Sequence, residues 1–177
     1  MLDHNNKALK YDFWTKLFHW LMASIIIYTM LAGFSLHIIE ENTPLWHFIS
    51  RLNISLAFVS SLIFIPRWIW SFFRTEPQQV PMPAIQKSAA HMVHALLYFL
   101  MFLVYITGFF MLNKPVTLLG NIEYINPLIE HDNICDLFFL LHRYSCYLLF
   151  FLILVHVCAV IKHQYINKNK ILSKMLF

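Results

Sequence analysis

Residues 137–161 read LFFLLHRYSCYLLFFLILVHVCAVI, and Arg143 is the single fully charged side chain in the run. At 1.5 Å per residue such a segment forms a helix of about 37 Å, enough to cross a hydrocarbon core of roughly 30 Å. No period-2 alternation of apolar and polar residues appears, so a barrel strand is excluded. Two histidines interrupt the run, His142 and His156. They are fourteen residues apart, nearly four helical turns, so both project from one face about 21 Å apart along the axis.

Three further apolar segments flank this one: Leu17–Ile39, about Asn53–Phe73, and Met92–Leu112. The bulk composition agrees, with 59% hydrophobic and 12% charged residues in 177, and a mean hydropathy of +0.61. Soluble domains carry roughly 45–50% and 25%, so too few charges remain here to cover a water-soluble surface. The expected fold is all-α, a four-helix integral membrane bundle forming one domain over 1–177. The first segment is longer than the roughly 7–15 apolar residues of a signal peptide and no small-residue cleavage site follows, which predicts a retained membrane helix. The net charge of +4 is scattered rather than gathered in a stripe, so no nucleic-acid partner is expected. Cys135, Cys146 and Cys158 form no CxxC or CxxCH motif and read as small apolar fillers.

The connections set the orientation. The N-terminal tail, the second connection and the C-terminal tail carry ten basic residues (Lys7, Lys10, Lys16, Arg67, Arg74, Lys87, Lys162, Lys168, Lys170, Lys174) against Asp3, Asp12 and Glu76. The other side carries Arg51, Lys114 and Arg143 against Glu40, Glu41, Glu123, Glu130, Asp132 and Asp136. The positive-inside rule then predicts both termini in the cytoplasm. Pro77, Pro81 and Pro83 prevent the second connection from being helical throughout, and Pro66 predicts a kink near the end of the second helix. The third connection, Asn113–Asp136, mixes acidic and apolar residues, and is expected to lie on the membrane surface or cap the bundle.

Ten histidines against thirteen Lys and Arg is the second anomaly. Ionisable groups within a membrane are costly and tend to face the bundle interior. His19 lies near the cytoplasmic edge of the first helix, at the depth expected for His156, while His142 lies toward the opposite side. Two neutral imidazoles on opposite faces of a macrocycle are the simplest way to hold a b-type haem. Two haems about 20 Å apart would give an electron path across the membrane, with bulky apolar residues, including many of the 17 Phe, walling the rings. The competing reading is ordinary polar contact between helices. His91 and His94, the latter on a face with Tyr98 and Tyr105, could meet haem propionates, line a quinone pocket, serve as alternative ligands or simply sit at the interface. His4, His131 and His163 read as solvated; His37 sits near the outer end of the first helix and His47 in the outer connection. A His-rich metal or proton transporter is disfavoured by the absence of inverted repeats and broken spans.

The ordered set of features resembles the bacterial cytochrome b561 family of small four-helix di-haem inner-membrane proteins, which includes superoxide:ubiquinone oxidoreductases. The matching residues are Phe18-His19-Trp20, Arg67, Ala90-His91 with His94 and Tyr98, Gly108, the His142/His156 pair, and the tail from Lys162 through Asn169 with Leu172 and Met175. The resemblance implies that His19 and His156 ligate the iron of a cytoplasmic-side haem b, and that His142 ligates a periplasmic-side haem with a partner from helix two. Here the sequence departs from the pattern: fourteen residues before Arg67 stands Asn53, a poor iron ligand. His47 is the nearest imidazole, six residues or about 9 Å nearer the surface. Either His47 reaches in as ligand, or the outer haem is five-coordinate, or it is absent.

The function this implies is one-electron transfer between a small periplasmic donor and a ubiquinone-type quinone in the surrounding lipid, an oxidoreductase or electron-transport role. Superoxide is one candidate donor, although the outer face is acidic overall; Arg51, Lys114 and Arg143 could form a local cationic funnel or pair with propionates. The alternative is a non-catalytic haem-bearing subunit that anchors a larger membrane dehydrogenase, as in the hydrogenase-type cytochromes b.

Overall fold

The structure, a computed structural model, describes residues 10–77 and 81–177. Asp3, His4 and Lys7, counted above in the N-terminal tail, lie outside the described residues. Four long helices carry the fold: α1 (Phe13–Ser35), α2 (Pro44–Phe73), α3 (Ala84–Phe110) and α4 (Asp132–Ile161). All four are long and apolar enough to cross a membrane.

Capping chemistry, not hydropathy, sets where α1 and α2 begin. The Asp12 carboxylate accepts from the Thr15 amide (2.9 Å) and hydroxyl (2.6 Å), starting α1 four residues before its apolar run. Thr43 caps α2 through the Trp46 amide, with Pro44 at the first position, so α2 starts nine residues ahead of Asn53. His47 therefore belongs to the first turn of α2 and not to a loop. Pro83 opens α3 directly, and α2 remains helical past Pro66 to Phe73.

The helices pack as two pairs. α1 lies mainly against α2 and α3 against α4, with a thinner contact between α2 and α3. A buried cluster of Met22, Ile26, Phe64, Leu100, Met101 and Leu149 joins the pairs at mid-bundle. A polar bond bridges the thin seam: Ser60 Oγ and Tyr105 Oη lie 2.6 Å apart. Large apolar side chains such as Ile27, Leu31, Leu62, Phe102 and Phe151 point outward on every helix, the pattern of a bundle solvated by lipid. Cys135 is buried; Cys158 faces outward rather than filling a core, and all three cysteines are free.

The two ends of the bundle are finished differently. At one, the third connection forms an antiparallel hairpin, β1 (Val116–Leu118) with β2 (Ile122–Tyr124), in the register Val116↔Tyr124. Its loop turns through two left-handed residues, Leu119 (φ 51°) and Gly120 (φ 86°). The strain at Leu119, about 1–2 kcal/mol for a residue with a Cβ, is held in place by Ser55 Oγ of α2, which accepts the Leu119 amide at 3.1 Å. Asn126, fully buried, donates to the Phe110 and Leu112 carbonyls and so ties the connection to the end of α3. We call this the hairpin end. At the other, terminal end, α4 leaves through a π-type turn at Lys162–Ile166, and the chain folds back on α1. Trp20 Nε1 donates to the Met175 carbonyl at 2.9 Å, and the Tyr11 amide donates to the Lys174 carbonyl at 3.2 Å. Lys16, 7% exposed, has its ammonium 5.9 Å from the Phe177 ring.

Candidate functional site

The histidines gather at two levels of the bundle. At the terminal end, His156 of α4 and His94 of α3 are in edge contact, ring centroids 5.2 Å apart. His19 of α1 is near enough to both to interact with them electrostatically. The Nδ1 of His19 lies 3.2 Å from Arg67 Nη2 of α2. Arginine has no acceptor, so it donates and the proton of a neutral His19 ring sits on Nε2. The depth match between His19 and His156 expected from sequence thus brings in His94 and Arg67 as well. Arg67 also stacks over Tyr98, at 5.7 Å from the ring, and its Nε is buried without a partner. Arg74 Nε, one helical stretch further along, is likewise buried and unpartnered, and its guanidinium lies 5.3 Å from the Tyr11 ring. Burial raises the Tyr11 phenol pKa above its usual value, with the Arg74 charge opposing the shift and Glu76 adding to it.

At the hairpin end a cavity of about 300 Å³ opens between the two helix pairs, at the small end of the range for ligand sites. Its walls are mainly apolar: Met30, Ile54, Ala57, Phe58, Val104 and Leu149 among them. Leu118 and Tyr124 of the hairpin also line it. The polar groups on the wall include His142, Asn53, His37, Cys146 and Arg143.

His142 is the most firmly held of these. Its Nδ1 lies 3.0 Å from the Val104 carbonyl oxygen and 3.3 Å from Thr107 Oγ1. Donation of Nδ1–H to that carbonyl leaves Nε2 as the free lone pair, with Cys146 Sγ 3.5 Å away. A ring N–H given to a backbone carbonyl is the usual outer-shell support of a metal-bound histidine. Close approach of α3 is possible because residue 108 is glycine: a Cβ there would meet His142 Cε1 at 3.1 Å and Nδ1 at 3.3 Å. Gly33 of α1 also lines the cavity, and a Cβ added there would meet nothing within 4 Å, so the space beside it is open. An apolar cavity with a glycine in its lining and one oriented imidazole has the residues a haem would need, with His142 to hold it.

The remaining candidates are placed as follows. Asn53 lines the cavity, and its Oδ1 is buried with no hydrogen-bond partner. His47 does not reach the wall; its ring is exposed in the first turn of α2 and packs edge-on against Trp46 at 5.2 Å. His37, given no role from sequence, lines the cavity from the turn after α1. His163 is half-buried, its Nδ1 accepting from Asn167 Nδ2 at 3.1 Å in an exposed contact. His91 and His131 are exposed. Among the described residues no three His, Cys, Asp or Glu side chains converge as around a bare metal ion; a haem asks the chain for only one or two axial ligands.

The Val104 carbonyl, Cys146 and Gly33 were not legible as site residues, because which residues of neighbouring helices come level cannot be read from either helix alone. One signal was available: two of the three glycines stand inside apolar helices, where a missing side chain marks close approach.

Comparison with known proteins agrees with this architecture. Residues 10–177 match the sequence profile of the family described as prokaryotic cytochrome b561. A curated relative, cytochrome b561 homolog 2 of Escherichia coli strain K12, is 25% identical over 180 residues, covering 99% of this chain and 95% of that one. The chain thus belongs to the prokaryotic cytochrome b561 family, and with its four spanning helices it is a multi-pass inner-membrane b-type cytochrome of electron transfer that binds haem b.

Proposed function

We propose that the protein carries single electrons between a small donor on the hairpin side and the quinone pool, through two haem sites in one bundle. The observation that carries this reading is the split of the histidines into two clusters, His19–His94–His156 and His142 with its cavity, placed along α4 by residues fourteen apart. Bound haem supplies iron that cycles between ferrous and ferric forms and passes one electron at a time.

His19 and His156 are the ligands for the terminal-end haem, and His142 is the ligand for the other. Ligation through His19 Nε2 requires the ring proton to move to Nδ1, so Arg67 must release that nitrogen. The freed guanidinium, with Arg74 beside it, then suits a haem propionate, for which each already has a buried, unpartnered Nε. The excess of basic residues at the terminal end supports a cytoplasmic placement of that end. On the hairpin side, Arg143 is exposed and lines the cavity, a cation at the mouth that favours an anionic donor. Superoxide fits: two superoxide ions each lose one electron to become dioxygen, and the quinone takes up both electrons and two protons to become quinol.

A redox-titrated absorption spectrum of the purified protein tests the reading. Two b-type components are expected, one lost in both His19→Ala and His156→Ala and the other lost in His142→Ala. No Soret band, or one component removed by all three substitutions, overturns it.

A further inference from the structure

We propose, resting on the haem reading above, that the hairpin-end haem has His142 as its only protein ligand and that Asn53 serves the open side as the hydrogen-bonding partner of a small exogenous ligand. The ligand class is a diatomic or small anion that binds haem iron: carbon monoxide or nitric oxide in the ferrous state, cyanide or water in the ferric state.

Four observations lead there. Among the described residues His142 is the imidazole on the cavity wall with the support of an axial ligand, its Nδ1 fixed on the Val104 carbonyl and its Nε2 meeting only the weak donor Cys146 Sγ at 3.5 Å. Asn53 also lines the cavity, but from α2, which packs mainly against α1 while α4 packs mainly against α3, so the two residues approach the cavity from different helix pairs. The Asn53 Oδ1 is buried with no partner, and an orphaned buried amide oxygen calls for an explanation. A carboxamide can turn either end to a ligand: Oδ1 accepts from bound water, and Nδ2 donates to cyanide or to a polarised diatomic. Finally, the two other imidazoles of this end are poorly placed to close the coordination shell. His47 lies off the cavity wall, exposed beside Trp46. His37 reaches the wall from an exposed turn beyond α1, and among the described residues nothing hydrogen-bonds its ring.

The geometry therefore separates the two ends by chemistry. At the terminal end His19 and His156 are available to one haem, which leaves electron transfer as its only role. At the hairpin end, a haem held by His142 alone would be open to a small ligand, with Asn53 to hydrogen-bond it and the hairpin residues Leu118 and Tyr124 lining the same cavity.

The test uses the full-length protein in detergent, with carbon monoxide added to the reduced form and cyanide to the oxidised form, read by difference spectra against total haem. About half of the haem is expected to bind both probes. That fraction disappears in His142→Ala, and in Asn53→His it becomes low-spin and inert to carbon monoxide. In Asn53→Leu it still binds carbon monoxide, but cyanide binds about five-fold more weakly, the order expected for one lost hydrogen bond. The proposal is overturned if all the haem is low-spin and inert, if Asn53→His leaves carbon monoxide binding intact, or if only one haem is present and it depends on His19 and His156. An inert wild type that gains carbon monoxide binding in His37→Ala or His47→Ala would identify that histidine as the sixth ligand and equally overturn it. Absence of all haem would instead remove the functional reading beneath it, so the two failures are distinguishable.

Discussion

Gly108 of α3 lies directly against the imidazole of His142 on α4, so that a single added methyl would stand 3.1 Å from Cε1 and 3.3 Å from Nδ1. Both distances are tighter than ordinary carbon contact, and the ring cannot retreat without stretching its 3.0 Å bond to Val104 O. Gly108→Ala is therefore expected to tilt the ring and reduce haem retention at the hairpin end, and Gly108→Leu to abolish it. Pyridine haemochrome assay against protein concentration checks this: the ratio should fall toward half, with the His19/His156 component unchanged. Full retention in Gly108→Leu would show that His142 does not hold a cofactor from this position.

The thin seam between α2 and α3 contains the Ser60–Tyr105 bond at 2.6 Å beside the ring contacts of Phe64 with Tyr98 and Tyr105, and Ser60 is only 1% exposed. Interhelical hydrogen bonds in membranes contribute about 0.6 kcal/mol on average and up to roughly 1.7. A double-mutant cycle of Ser60→Ala and Tyr105→Phe, measured by unfolding in mixed micelles, should return a coupling within that range. Tyr105→Phe should be the milder single change, because a Ser60 hydroxyl left alone can fall back on its own helix carbonyls, whereas Ser60→Ala strands the phenol. Additive effects would show that the seam is held by packing alone.

The contrast between those two contacts explains how much could be read in advance. The four helices are visible in the sequence because hydropathy over twenty residues is a property of each segment by itself. Their starts are not, since Asp12 and Thr43 begin α1 and α2 in polar stretches where capping wins over apolar content. Hydropathy likewise assigns His47 to a connection, although the first turn of α2 contains it. The His142–His156 spacing is legible because it lies within one helix. His94 joining His156, Gly108 meeting His142, and His37 bordering the cavity all depend on which residues of neighbouring helices come level. The hairpin was hidden for a different reason: its three-residue strands are too short for an alternating pattern, and its turn places Leu119 in a conformation the residue does not favour.

The start of α1 should respond to acid in a defined direction. Burial alone would raise the Asp12 pKa, but the Thr15 hydroxyl and amide, its hydrogen-bond partners, outweigh it and hold the carboxyl below its ordinary value. A depressed folded-state pKa means the stabilisation is present above the unfolded value, about 3.9 for Asp, and is lost as pH falls through the lowered folded value. Asp12→Ala should cost about 1 kcal/mol at pH 7, and Asp12→Asn, which keeps an acceptor, much less. Thermal unfolding in detergent at pH 7 and pH 3 should show the gap between wild type and Asp12→Ala narrowing at the lower pH. A gap of equal size at both would mean that the carboxylate charge is immaterial to the cap.

Arg67 is the residue through which the terminal-end site can be tuned without replacing a proposed ligand. Its guanidinium lies 3.2 Å from His19 Nδ1 and 5.7 Å from the Tyr98 ring, with a buried Nε still unsatisfied. A fixed positive charge beside a haem favours the ferrous state, which carries one positive charge fewer than the ferric. Arg67→Leu removes that charge and should lower the midpoint potential of the His19/His156 component. A loss of 1.4 kcal/mol of differential stabilisation corresponds to about 59 mV for one electron, so a fall of several tens of millivolts is the scale expected. Arg67→Lys should recover most of the potential but not the line shape, because an ammonium cannot form the paired bonds of a guanidinium to a propionate. The hairpin-end component should not move in either variant. Equal shifts in both components would mean that Arg67 acts on the bundle as a whole, and that its contact with His19 has no bearing on the haem.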